Sequence, residues 1–113
     1  MRKMPMMLGV MLAAGLLPLT PAMADGADVF RVNCASCHGK NGQGTPGLAP
    51  ALKGDQFVTG SSVDDVTNTV KGGRAGNQKH FKDLPIAMPA WDGKLSDADI
   101  KTVVDFIRGD LQK

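Results

Sequence analysis

The chain has 113 residues, a formal net charge of +2, 42% hydrophobic residues and two cysteines. That length allows one small domain. The near-neutral balance argues against a nucleic-acid backbone as partner, and two cysteines cannot build a disulfide framework.

Residues 1–24 read as a secretory signal peptide. Arg2 and Lys3 supply a positive start, 6–19 is almost wholly apolar, and Ala22-Met23-Ala24 is a small-residue cleavage site. Cleavage after Ala24 would leave Asp25 as the new N-terminus and place the domain, 25–113, in the periplasm. The apolar run is short for a membrane span and is interrupted by Pro18. An uncleaved inner-membrane anchor is the alternative, but the expectation is no stable membrane insertion. Losing Arg2 and Lys3 leaves as many acidic as basic residues. A domain of this size buries little apolar area by itself.

The first helix is expected to start near Asp25, an N-cap candidate, with Val29, Phe30 and Cys34 close to one face. It runs into Cys34-Ala35-Ser36-Cys37-His38. Cys-x-x-Cys-His is the attachment signature of a c-type haem. Two thiols add across the porphyrin vinyl groups as thioethers, and the adjacent imidazole offers a proximal iron ligand. Positions i, i+3 and i+4 share a face on a helical turn, so Cys34, Cys37 and His38 can meet one flat macrocycle. A dithiol redox centre would want a βαβ setting, of which the sequence has no sign. A structural zinc site would need His80 as fourth ligand, without the usual paired spacing.

A glycine-rich loop over 39–60 follows. The second helix begins at Ser61 or Ser62, with Ser62 and Asp65 at capping-box spacing, Val63, Val66 and Val70 as its apolar stripe, and Gly72-Gly73 as its stop. A second long loop covers 73–95. Loops this long in so small a domain argue for a function, and wrapping a cofactor is one. Six of the seven methionines lie at or before position 23, so Met88 is the only thioether in 25–113. It would be the distal iron ligand, favouring reduced iron; His80 is the rival, and gap-filling in the core is the other use of a methionine. The third helix is capped by Ser96, carries Asp97 and Asp99 in its first turn, and buries Ile100, Val103, Val104, Ile107 and Leu111, with Phe106 beside them.

In this order and at these separations, the motifs resemble the class I c-type cytochromes of the small bacterial monohaem kind. The matching segments are Gly26-x-x-Val29-Phe30-x-x-x-Cys34, the haem motif, Ala49-Pro50-x-Leu52-x-Gly54, Met88-Pro89-Ala90-Trp91 and Val103-x-x-Phe106. The resemblance implies an all-α cytochrome c fold of three main helices and long loops around one covalent haem c. It also implies that the Pro50 carbonyl accepts a hydrogen bond from His38, that Gly26 and Phe30 pack on Val103 and Phe106, and that Trp91 packs near the haem, its indole N–H towards a propionate.

No nucleophilic set of serine, histidine and acid stands out, and iron ligated by His38 and Met88 has no open position for a substrate. The expected function is periplasmic one-electron transfer between redox proteins rather than enzymatic catalysis. The alternative is a dedicated cytochrome subunit of a dehydrogenase or oxidase complex; a haem enzyme or gas sensor is a third reading. Lys71, Arg74, Lys79 and Lys82 would form a basic rim for acidic redox partners, with the protein a monomer or a weakly held subunit.

Overall fold

The computed structural model describes residues 25–76, 79 and 86–113. Residues 1–24, His80, Lys82 and Asp83 lie outside these residues. Five α-helices run through them: α1 (Gly26–Asn33), α2 (Ala35–His38), α3 (Gln56–Gly60), α4 (Val63–Gly72) and α5 (Asp97–Arg108), followed by a 3₁₀ turn at Asp110–Gln112. The described residues contain no β-strand, only three isolated bridges, Thr45 with Ala49, Arg74 with Met88 and Asp92 with Leu95. The all-α expectation holds.

The long helices start where the sequence places their caps. Asp25 accepts a hydrogen bond from the Asp28 amide at 2.8 Å, Ser62 from Asp65 at 3.1 Å and Ser96 from Asp99 at 3.0 Å. Each satisfies an amide that the helix itself leaves without a partner, a contribution of about 1 kcal/mol apiece. Two expectations are refined. Val63, at the first position of α4, is 44% exposed, so the buried stripe of that helix is Val66 and Val70. Leu111 is buried, but from the 3₁₀ turn, because α5 ends at Arg108 with Gly109 as its C-cap.

The core forms where α1 crosses α5. Phe30, Ile100, Val103 and Val104 are its most deeply buried large side chains. The rings of Phe30 and Phe106 meet with centroids 5.5 Å apart and planes inclined at 50°, a favourable tilted geometry. Gly26 sits where any Cβ would fall 2.6 Å from Phe106 Cβ, so the crossing needs a residue without a side chain. Phe30→Ala should cost roughly 3–5 kcal/mol, a large part of the stability of a small domain. Denaturant unfolding of the haem-loaded protein checks this; a loss near zero would mean that α1 does not anchor the fold.

The short helix α3 was not expected. It has one side-chain cap, Asp55 Oδ2 accepting from the Val58 amide at 3.1 Å, and it is held from the far end of the chain. Arg108 donates to the carbonyls of Val58 (3.3 Å) and Ser61 (3.0 Å). Gln112 donates to the Leu52 carbonyl at 3.0 Å and accepts from the Gly54 amide at 2.7 Å. These straps fasten the segment from Leu52 to Val58 against α5, which makes it a wall of the site described next.

Candidate functional site

The attachment motif straddles a break between α1 and α2. Cys34 is the residue between them, yet its backbone stays in the right-handed helical region (φ −112°, ψ −32°). Its carbonyl accepts from the amides of Cys37 (3.2 Å) and His38 (2.9 Å). One helical turn therefore joins the three chemically active residues, as their spacing predicts. The two cysteines form no disulfide.

Burial raises the Cys34 thiol to about 11, and the neighbouring Cys37 adds to the shift. A working dithiol centre needs the opposite, a thiol made acidic by its surroundings, so burial of Cys34 counts against the redox-dithiol reading. No cluster of three or more His, Cys, Asp or Glu suited to a metal ion occurs among the described residues. The fourth ligand that zinc would have required, His80, lies outside them.

His38 is buried, with 8% of its surface exposed. Its Nδ1 lies 2.9 Å from the Pro50 carbonyl oxygen. A carbonyl can only accept, so Nδ1 carries the proton, and Nε2 of the neutral ring keeps its lone pair. Burial lowers the pKa of the ring, with the Pro50 hydrogen bond opposing part of that effect. Neutral imidazole is the form that binds metal, and an oriented N–H···O=C partner is what ligating histidines generally have.

The loop that brings Pro50 to His38 depends on a close approach. Gly44 has φ +82°, and a Cβ there would fall 2.6 Å from the Ala51 nitrogen and 2.9 Å from the Pro50 carbonyl carbon. Its amide donates to the His38 carbonyl at 2.6 Å. The absence of a side chain lets the turn after α2 lie directly on the Pro50–Ala51 backbone. Both Leu52 and Lys53 amides donate to the Gly42 carbonyl (2.8 and 2.9 Å), closing the loop.

All six residues singled out from the sequence line one pocket: Cys34, Cys37, His38, Pro50, Met88 and Trp91. Leu48, Leu52, Phe57, Val58, Val66, Val70 and Ile107 give it a largely apolar wall. Met88 and Trp91 are both half-buried at the core margin, with Lys94 Nζ 5.6 Å from the Trp91 ring centroid. A haem fits this donor set. Two thiols and a buried imidazole with one free lone pair share a greasy pocket with a soft thioether, and the group could be held by Cys34, Cys37, His38 and Met88.

Sequence reasoning missed part of the lining. Phe57 and Val58 belong to α3, whose only local signal was Asp55 as a cap. Arg74, expected on a basic rim, is half-buried in the pocket wall. Its guanidinium donates to Thr69 Oγ1 at 2.9 Å and lies 5.0 Å from the Phe57 ring centroid. Lys79 also lines the pocket. Lys71 is paired with Asp97 at 3.5 Å across the surface, a contact worth little by itself. Lys82 lies outside the described residues.

Fold and donor set together define a class I c-type cytochrome, whose cofactor is covalently bound haem c. The chain belongs to the family described as "Cytochrome C oxidase, cbb3-type, subunit III", whose model matches residues 21–107. Among curated proteins it is 35% identical over 85 residues to the "Cbb3-type cytochrome c oxidase subunit FixP" of Bradyrhizobium sp. (strain ORS 278), covering 74% of this chain and 26% of that protein. It is 36% identical over 87 residues to the "Cbb3-type cytochrome c oxidase subunit CcoP" of Cereibacter sphaeroides, covering 76% of this chain and 27% of that protein. It is 32% identical to the "Alcohol dehydrogenase (quinone), cytochrome c subunit" of Gluconacetobacter polyoxogenes, over 87% of this chain and 20% of that protein. The chain thus spans a quarter or so of the length of these relatives.

Among solved structures, the c-type cytochrome XoxG from Methylobacterium extorquens AM1 superposes with a TM-score of 0.58 at 26% identity, covering 77% of this chain and 48% of that one. The KustC0563 c-type cytochrome gives a TM-score of 0.58 at 19% identity, over 80% of this chain and the whole of that one, a likeness of fold. No helix among the described residues is long and apolar enough to cross a membrane.

Proposed function

We propose that this chain carries single electrons as the cytochrome c component of an oxidase or dehydrogenase assembly. The observation that carries the electron-transfer reading is the convergence of Cys34, Cys37, His38, Pro50, Met88 and Trp91 on one apolar pocket. The choice of an assembly over a free shuttle is supported by relatives that are named as subunits of cbb3-type oxidases and a quinone-linked alcohol dehydrogenase.

Haem c held there supplies an iron that takes up and returns one electron. Cys34 and Cys37 would hold the group covalently, so it would not be lost to the medium. His38 would hold it through Nε2, while Pro50 fixes the ring's other nitrogen and with it the tautomer and the ring plane. Met88 would offer a thioether, which favours the reduced metal and raises the potential. With His38 and Met88 both engaged in holding the group, the role in this reading is transfer rather than catalysis. Leu52, Phe57, Val58 and Val70 would give the group apolar surroundings, in which electrostatic interactions are stronger than in water. Trp91, in the pocket lining, would offer its indole N–H to a haem carboxylate.

Residues 1–24 act in this reading as a cleaved export signal that delivers 25–113 to the periplasm, where basic residues beside the pocket such as Lys79 help to steer acidic partners. N-terminal sequencing of the exported protein should start at Asp25. Isolation of the tagged holo-protein from its native host tests the assembly role. Co-purification with oxidase or dehydrogenase polypeptides, and reduction by that enzyme's substrate, is the expected result. Recovery of the cytochrome alone, in the soluble fraction and with no such enzyme bound, would favour a free carrier.

A further inference from the structure

Met88 has no helix of its own to hold it; the end of α4 does so. Four backbone hydrogen bonds join the two segments. The Arg74 amide donates to the Met88 carbonyl at 3.0 Å, and the Met88 amide donates back to the Arg74 carbonyl at 2.9 Å. The Trp91 amide donates to Val70 O at 3.1 Å and the Asp92 amide to Lys71 O at 3.2 Å. The last carbonyls of a helix have no partner within it. Here two of them are satisfied by the segment that carries the thioether.

Gly73 sits at the centre of this clamp. It caps α4 with φ +72° and ψ −171°, a combination that is essentially restricted to glycine. A Cβ at this position would lie 2.5 Å from the Met88 carbonyl oxygen, 2.8 Å from the Ala90 nitrogen and 2.8 Å from the Pro89 carbonyl carbon. All three are backbone atoms, so no side-chain rotation relieves the overlap. The segment itself has to move.

We propose that Gly73 is a positioning residue for the distal ligand: its bare backbone lets α4 and the Met88–Ala90 backbone close on each other, and that closure sets the depth at which Met88 presents its sulfur. The inference rests on Met88 being that ligand. Gly73→Ala pushes the segment outward and takes the sulfur with it, while Cys34, Cys37 and His38, on the other side of the chain's connectivity, keep their places. The variant should remain loaded with haem and lose methionine ligation.

The test uses holo-protein of the wild type and of Gly73→Ala, Gly72→Ala, Gly47→Ala and Met88→Ala. Gly72 has open space around its would-be Cβ, and Gly47 combines a left-handed backbone (φ +75°) with open space. They control for helix-end substitution and for backbone strain alone. Haem content by staining and helix content by circular dichroism establish that each variant is loaded and folded. The readouts are the long-wavelength methionine-to-iron charge-transfer band of the oxidised protein and carbon monoxide binding to the reduced protein. The expected result is loss of the band and ready carbon monoxide binding in Gly73→Ala and Met88→Ala, with both readouts as in the wild type for Gly72→Ala and Gly47→Ala. A wild-type band in Gly73→Ala, when Met88→Ala has lost it, overturns the role of Gly73 and leaves Met88 as ligand. A wild-type band in Met88→Ala overturns the ligand reading and the inference with it. Should Gly73→Ala yield no holo-protein, hydrogen exchange on the wild type decides. The amides of Met88, Trp91 and Asp92 should exchange far more slowly than in an unstructured peptide, and exchange at peptide rates overturns the clamp.

Discussion

Replacing His38 by alanine should leave almost no haem-loaded protein, the largest effect expected of any single change. The imidazole is buried, neutral and oriented by Pro50, and no second described residue of that kind faces the two thiols. Its loss removes a metal ligand and opens a gap beside the attachment turn. The haem is also core material: a chain this short buries limited apolar surface without it, so failure to load should be accompanied by failure to fold. Cys34→Ala or Cys37→Ala should be milder, because one thioether remains. Haem staining after denaturing electrophoresis separates these outcomes. Near-absent stain for His38→Ala and reduced stain for the single cysteine variants are expected. Full staining of His38→Ala, with an unchanged spectrum, would remove His38 from the iron.

The second large effect concerns Met88. Met88→Ala should keep the haem attached but open the distal position, and the reduction potential should fall, because the thioether that favoured reduced iron is gone. The pocket stays otherwise intact, since Met88 is at the margin of the core rather than within it. His80→Ala should change neither spectrum nor potential. Potentiometry on both variants decides between the two residues. An unchanged potential in Met88→Ala together with a large fall in His80→Ala would transfer the ligand role to His80.

What could be read from the sequence was what local chemistry dictates. Ser62 and Ser96 announce their helices because a side-chain oxygen at that position satisfies an amide two or three residues on. The five-residue haem motif carries its own geometry, since one helical turn suffices to align it. The Pro50 partner of His38 came through family resemblance, because Pro50 lies twelve positions further along, across a loop. Helix α3 escaped notice for the opposite reason. It is five residues long, too short for any periodic pattern, and it is fastened by Arg108 from 50 residues away. Arg74 looked like part of a charged surface, since nothing in the sequence says that Thr69 and the Phe57 ring would draw its guanidinium into the pocket wall. Val63 fits the helical period of α4 but lies at its first residue and stays exposed.

The central claim is that one macrocycle lies in this pocket between His38 and Met88. Proton NMR of the reduced wild-type holo-protein, cleaved after Ala24, tests it most directly. Met88 is then the only methionine present, so its S-methyl signal needs no assignment by mutation. A methyl group on a ligating sulfur lies over the face of the porphyrin, where the ring current shifts it strongly upfield, clear of every other aliphatic signal. A single three-proton resonance in that region is the predicted result. A methyl signal at the ordinary thioether position would contradict the account.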